Sequence, residues 1–250
     1  MSLTGISWVI LGTALLITFT MSVLHSIVGF AFALLSTPAF FLLFPPKEVV
    51  VLTVLLTLVL DVLIVVPSRR AVGFQELRAI ALPVLAGLPV GLGILSLVSP
   101  SLLKVLVGAT VILLATPMLL GWGQRPERGR LLSTVAGFMG GVLTTSINFN
   151  GPPVVLYLRS LGLAPHAFRA TTAAYLMAAH ALAAALFALT GHLTLGVLNV
   201  AVVLSVACVA GYWVGSWLYG RIQSDLFARL VLVLVIVMGV VTITSSGYRW

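Results

Sequence analysis

Residues 137–153 read GFMGGVLTTSINFNGPP, and this stretch limits the fold more than any other. Its flanks are apolar enough to enter a bilayer, yet its centre cannot be an uninterrupted spanning helix. Proline lacks a backbone N–H and clashes with the preceding turn, and glycine frees the backbone, so Gly151, Pro152 and Pro153 predict a helix break. Thr144, Thr145, Ser146, Asn148 and Asn150 add hydrogen-bonding side chains just before it. Inside a bilayer each freed backbone group costs on the order of several kcal/mol unless protein or water satisfies it. A broken, polar-lined helix at membrane depth therefore marks a place where something binds or passes. The bland alternative is a surface loop between two short helices.

Composition decides that a bilayer is the right setting. The chain is 61% hydrophobic and 7% charged, against roughly 25% charged in a soluble domain. The short alternating segments of a transmembrane barrel are absent. The expectation is an all-α, polytopic helical membrane protein. The net charge of +8 is spread among the connections between apolar segments, so no nucleic-acid partner is expected. The single Cys208 excludes an internal disulfide and reads as packing. Five acidic residues, with no HExxH and no GxSxG, argue against an enzyme; no cofactor and no metal are expected. No Lys or Arg precedes Ile6, so the first segment reads as a retained helix rather than a cleavable signal.

The first apolar block, 6–44, is too long for one crossing of about 20 residues. It is interrupted by His25, Ser26 and Gly29, then by Thr37 and Pro38, and reads as a helix, a break and a returning half-helix. Spans follow at 49–66, 79–98 and 102–120. The second half starts with an interrupted block at 131–163, followed by spans at 170–189, 194–219 and about 230–243. The halves share this order. Thr53 aligns with Thr172, and Asp61 with His180, at one offset of 119; Gly87-x3-Gly91 matches Gly211-x3-Gly215 at 124. A repeat is expected: a first transmembrane repeat at 1–122, a cytoplasmic connection at 123–130 and a second repeat at 131–250.

Basic residues mark the cytoplasmic side. If both interrupted blocks return to the side they entered from, Arg69, Arg70, Arg78, Arg125, Arg128, Arg130, Arg159, Arg169, Arg221 and Arg229 share one side. Lys47, Lys104 and Arg249 share the other, a split of 10 to 3. If the second block crosses once, the split falls to 7 to 6. The first arrangement gives each half a broken hairpin plus three spans. That odd number of crossings inverts the second half relative to the first and puts both termini outside. Inverted repeats with discontinuous helices are a transporter architecture, with the site near the midplane where the breaks meet.

The block GFMGGVLTTSINFNGPPVVLYLRSLGLAP resembles the second-half signature of the TauE/SafE sulfite and organosulfonate exporters: a Gly-bearing helix, a Gly/Pro-Pro break and an apolar half-helix ending at Leu-Gly-Leu. HSIVGFAFALLSTPAF sits where that family has its matching first-half break. The resemblance covers essentially the whole chain. Only Gly29 and Gly151 remain of the family's glycine clusters, with His25, Asn148 and Asn150 in the freed positions. The resemblance implies a secondary transporter of the bacterial inner membrane, exporting a small sulfur oxyanion by alternating access, with proton coupling left open. An anion channel, or a permease for another small anion, is the alternative. The expected partners are a small anionic substrate and the lipid bilayer, with a homodimer left open.

An oxyanion suits such breaks, because helix N-termini offer unpaired N–H groups and the positive end of the dipole. The expected substrate-binding residues are His25, Ser26, Gly29, Ser146, Asn148, Asn150, Gly151 and Pro152. Each polar one could equally serve only to satisfy the broken helix. Asp61, His180 and Arg159 are candidates for coupling or support, as ionisable residues inside membrane segments. Asp61 could instead reach the surface or pair with Arg69 or Arg70. His180 could couple a proton, since His titrates near neutral pH, or be structural. Arg159 reads as a cytoplasmic anchor in preference to a counter-charge. Trp8, Trp122, Trp213, Trp217 and Trp250 read as interface anchors.

Overall fold

The protein is an all-α, multi-spanning helical membrane protein. The computed structural model describes residues 7–119, 129–219 and 221, with 233, 236, 237, 239, 240, 242 and 244. The helices are α1 (Trp8–Val28), α2 (Phe32–Phe40), α3 (Pro46–Ser68), α4 (Phe74–Leu97), α5 (Pro100–Leu119), α6 (Arg130–Ile147), α7 (Gly151–Ser160), α8 (Pro165–Leu189) and α9 (Leu195–Leu218); a 3-10 turn, Arg69–Ala71, follows α3. Among the described residues five helices are long and apolar enough to cross a membrane: α1, α3 with its turn, α4, α8 and α9. The expected connection up to Arg128 lies outside the described residues, as does most of the expected last span.

Local chemistry sets the helix ends. Ser7 caps α1 by accepting the Ile10 N–H, and Thr194 caps α9 by accepting the Val197 N–H, each at 3.3 Å. Pro46 and Pro165 start α3 and α8 earlier than expected, because a first-turn proline forfeits an N–H that had no helical partner anyway. The α4 helix starts at Phe74, absorbing residues expected in the connection, with Glu76 in its first turn where the dipole favours an acid.

Both breaks are present, but their positions correct the expectation. The α6 helix ends because Asn148 takes the left-handed conformation, φ +57°. Asparagine tolerates this region better than other side chains do. The break is 148–150. Gly151, Pro152 and Pro153 do not interrupt a helix; they form the first turn of α7, where proline is tolerated. In the first half Gly29, φ +93°, ends α1 and its N–H reaches the His25 carbonyl at 2.6 Å. His25 and Ser26 belong to the last turn of α1, and Thr37 and Pro38 lie within α2.

Small residues let the helices approach. A Cβ added at Gly87 would strike the Phe138 carbonyl and Gly141, and one at Gly91 the Val142 carbonyl, so α4 and α6 pack backbone to backbone. Gly211 meets Phe19 and Ser22, and Gly215 meets Val23 and Ser26, which seats α9 on α1 in the same way. Residue numbers rise together along both contacts, so α4 runs parallel to α6 and α9 parallel to α1. By contrast, Asp61 of α3 meets His180 of α8, and Gly73 beyond α3 meets Thr171, so α3 and α8 are antiparallel. Short turns make α3 antiparallel to α4, and α8 to α9. Thus α1, α3 and α9 run one way and α4, α6 and α8 the other. Because α1 and α3 are parallel, α2 must bring the chain back between them, and α7 does the same between α6 and α8. Cys208 is buried in α9, its Sγ 3.9 Å from the Leu56 carbonyl of α3.

Candidate functional site

Five of the sequence-predicted residues converge between the breaks. Asp61, His25, His180 and Asn148 have no exposed surface, and Asn150 is buried. His180 Nδ1 lies 2.7 Å from Asp61 Oδ2, so the ring donates its Nδ1–H to the carboxylate. The other ring nitrogen, Nε2, lies 2.9 Å from Asn148 Oδ1 and 3.2 Å from Asn150 Nδ2. His25 Nδ1 accepts the Phe32 N–H at 3.2 Å, leaving its proton on Nε2. That nitrogen faces Asp61 Oδ1 at 3.4 Å. The chain links α1, α3, α8 and the second break through one carboxylate. Asp61 therefore neither reaches the surface nor pairs with Arg69 or Arg70.

The breaks also touch directly: a Cβ on Gly151 would lie 3.4 Å from Phe30 Cβ. Gly151 and Pro152, both buried, open α7 at this point. Three predicted residues are placed differently. The Ser26 and Ser146 hydroxyls donate to the carbonyls of Ser22 and Val142 on their own helices, at 2.8 and 2.7 Å, so these protons are not aimed at a ligand. Arg159 is exposed near the far end of α7. His25 Nε2 and Asp61 Oδ1 have only their loose 3.4 Å approach to each other, and Asn148 Nδ2 and Thr172 Oγ1, also buried, make no hydrogen bond among the described residues.

A family model described as "Sulfite exporter TauE/SafE" matches residues 14–242. The chain belongs to the TauE/SafE family. No curated protein and no solved structure matches it. As a TauE/SafE protein it is a transporter and not an enzyme, and both breaks fall inside the matched residues. Among the described residues no group of three or more His, Cys, Asp or Glu is disposed to hold a metal ion.

One residue of this TauE/SafE chain was missed as a neighbour of the breaks. Arg169, read as part of the cytoplasmic charge count, lies one turn inside α8 because the helix begins at Pro165. Its Nη2 donates to the Ser26 carbonyl at 2.7 Å, its guanidinium lies 4.3 Å from the centre of the Tyr219 ring, and its Cγ stands beside Gly29. A fixed cation thus caps the C-terminus of α1 at the first break. The only sequence signal was the spacing from Pro165. Near the starts of α4 and α6, a cleft of about 640 Å³ is lined by Glu76, Arg78, Arg130, Ser133, Tyr157 and Leu161, among others. Its walls include none of the buried cluster, but Tyr157 belongs to α7, the half-helix that begins at the second break.

Proposed function

We propose that the chain exports a small sulfur oxyanion, sulfite or an organosulfonate such as sulfoacetate, across the bacterial plasma membrane by alternating access. The reading rests above all on Asp61 and His180: residues at equivalent places in the two halves touch, and they do so on antiparallel helices. Equivalent elements that run in opposite directions and meet at equivalent residues imply a two-fold axis in the membrane plane. The pairs α1 and α6, and α4 and α9, are opposed in the same sense. Residues 1–122 and 131–250 are then inverted repeats joined by a cytoplasmic connection at 123–130. The Arg-rich end, with Arg69, Arg70, Arg78, Arg130 and Arg159, faces the cytoplasm, and both termini lie outside.

The substrate site lies between the breaks. The N-termini of α2 and α7 both begin there, and the unpaired Asn148 Nδ2 completes a place for negative charge. His25, Asn148, Asn150, Gly151 and Pro152 line it. Arg169 adds positive charge at its first-half edge, and Ser26, Gly29 and Ser146 shape the adjoining backbone. Neutral donors suit a carrier, because the anion must leave as well as bind.

The test is calorimetric binding of sulfoacetate to purified protein, with counterflow in proteoliposomes to distinguish a carrier from a channel. A hydrogen bond to a charged group is worth about 1.5–3 kcal/mol, so Asn148→Ala or Asn150→Ala should weaken binding by on the order of tenfold to a hundredfold. Arg159→Gln should leave affinity unchanged. Wild-type affinity in both Asn variants, with loss only in Arg159→Gln, overturns the site.

A further inference from the structure

His180 Nε2 occupies an unusual position: it has a hydrogen-bond acceptor on one side, Asn148 Oδ1 at 2.9 Å, and a donor on the other, Asn150 Nδ2 at 3.2 Å. A ring nitrogen without a proton can only accept, and one with a proton can only donate. Either form of the ring finds a partner here without any heavy atom moving. Nδ1 is committed to Asp61 in both forms. A purely structural histidine needs one partner of one kind at Nε2.

We propose that His180 Nε2 is the proton-binding site of this carrier, and that its protonation hands the Asn150 amide from the imidazole to the anion. This rests on the transport reading above. In the neutral form Asn150 Nδ2–H is spent on the Nε2 lone pair. When that lone pair takes a proton from hydronium, an N–H bond forms, an O–H bond breaks, and water leaves. The new N–H donates to Asn148 Oδ1. Asn150 Nδ2 then has nothing to donate to at the ring and joins Asn148 Nδ2, already unpartnered among the described residues, in facing the break. Two amide donors become available to one oxyanion.

Charge works in the same direction. With both histidines neutral, the buried cluster carries the single negative charge of Asp61, which repels an arriving anion. Protonation of His180 brings it to zero. The groups facing the ring are Asp61 from α3, with His25 of α1 on the opposite carboxylate oxygen, and the neutral Asn148 and Asn150 from the break. Of the elements packed around this cluster, α6, α7 and α8 carry the buried Thr144, Thr145, Tyr157 and Tyr175, α9 carries the buried Cys208, and α5, packed on α3 and α7, carries the buried Lys104 near its start. The charges of the α3–α4 turn and the start of α4, Arg69, Arg70, Glu76 and Arg78, gather toward the Thr171 end of α8, about 13 Å of helical rise from His180. Arg169 lies further along in the same direction, at the first break. Proton and anion therefore bind together, each raising the affinity for the other.

The experiment uses 15N-histidine-labelled protein in nanodiscs, with His180→Gln identifying the signals. Across a series of buffers from acid to alkaline, His180 Nε2 should pass between the protonated and unprotonated forms while Nδ1 stays protonated. A ring that keeps one form throughout overturns the proton site. The second arm works near neutral pH, where sulfoacetate is fully ionised, and measures proton uptake when it binds in a weakly buffered solution. Uptake of about one proton per anion, abolished in His180→Gln, supports the hand-over, and equal uptake in both proteins refutes it. Anion binding without uptake refutes the coupling and leaves the transport reading standing. Titration of His180 without sulfoacetate binding refutes the hand-over and the anion reading together.

Discussion

Replacing His180 with Phe should cost far more than neutralising the Asp61 it faces. His180→Phe keeps a ring in the cavity but leaves the Asp61 carboxylate, with no exposed surface, without its 2.7 Å donor. Only His25 Nε2, 3.4 Å from the other oxygen, remains nearby. Removing one partner of a buried charged pair costs about 3–5 kcal/mol, because the survivor is stranded. Asp61→Asn preserves the shape and removes the charge. The His180 Nδ1–H still finds an amide oxygen, and interhelical hydrogen bonds of this neutral kind average about 0.6 kcal/mol. The amide nitrogen then faces the His25 Nε2–H across the looser 3.4 Å contact, so that variant should lose about 1–2 kcal/mol. The double variant, Asp61→Asn with His180→Phe, strands no charge, so it should be more stable than His180→Phe alone by about 2 kcal/mol or more. Equilibrium unfolding by SDS in mixed micelles measures all four proteins on one scale. Two equal single costs, or a double cost that is the sum of the singles within about 0.5 kcal/mol, would refute the stranded-charge reasoning.

Two further outcomes follow from packing and orientation. Gly141→Leu drives a side chain into the Val84 carbonyl and Gly87, and should lower stability by about 1–3 kcal/mol or more, whereas Gly93, with nothing within 4 Å of an added Cβ, should accept Ala with a gain of up to about 1 kcal/mol; the same SDS titration reads both. In a Cys208→Ala background, a membrane-impermeant thiol reagent applied outside intact cells should label Ser99→Cys and spare Gln75→Cys, and the opposite pattern overturns the proposed orientation.

The sequence revealed the residues of the buried cluster more readily than their assembly. The shared offset put Asp61 and His180 at equivalent positions, and polar residues flagged both breaks. Nothing in one sequence says which pair of like-placed residues in the two halves will touch, so their contact could not be read. Proline misled locally. Its helix-breaking character is a matter of position, and at Pro46, Pro152 and Pro165 it falls in a first turn and starts a helix. The real interruption came from Asn148, whose left-handed backbone leaves no mark in a hydropathy pattern. Arg169 was hidden for the same reason: with the helix start placed five residues late, it read as part of a connection.

On the proposed inverted-repeat arrangement, the pairing of Asp61 with His180 also says which contacts should survive the transport cycle. In an inverted-repeat carrier the two states arise when the repeats exchange conformations. A contact between position a of one repeat and position b of the other then becomes the contact between b of the first and a of the second. Most contacts are altered by this exchange. The backbone approach of Gly87 and Gly91 to α6, and that of Gly211 and Gly215 to α1, are counterparts of one another and should trade geometries. The Thr145 hydroxyl donates across to the Leu88 carbonyl at 2.6 Å, whereas its counterpart Ser26 donates to Ser22 on its own helix at 2.8 Å, so these two hydroxyls should also trade arrangements. A contact between a position and its own equivalent maps onto itself. Asp61 and His180 are such a pair, so the 2.7 Å bond should persist in both states and act as the pivot. A symmetric pair could not do this work, since two buried carboxylates would repel and two neutral imidazoles would hold no charge to balance. Double electron–electron resonance between spin labels can separate the cases. Labels at Gln75 and Arg130, which flank the cleft by α4 and α6, should change separation when sulfoacetate is added, while labels at Val62 and Ala181, next to the pivot, should not. Equal movement of both pairs would remove Asp61 and His180 from the axis.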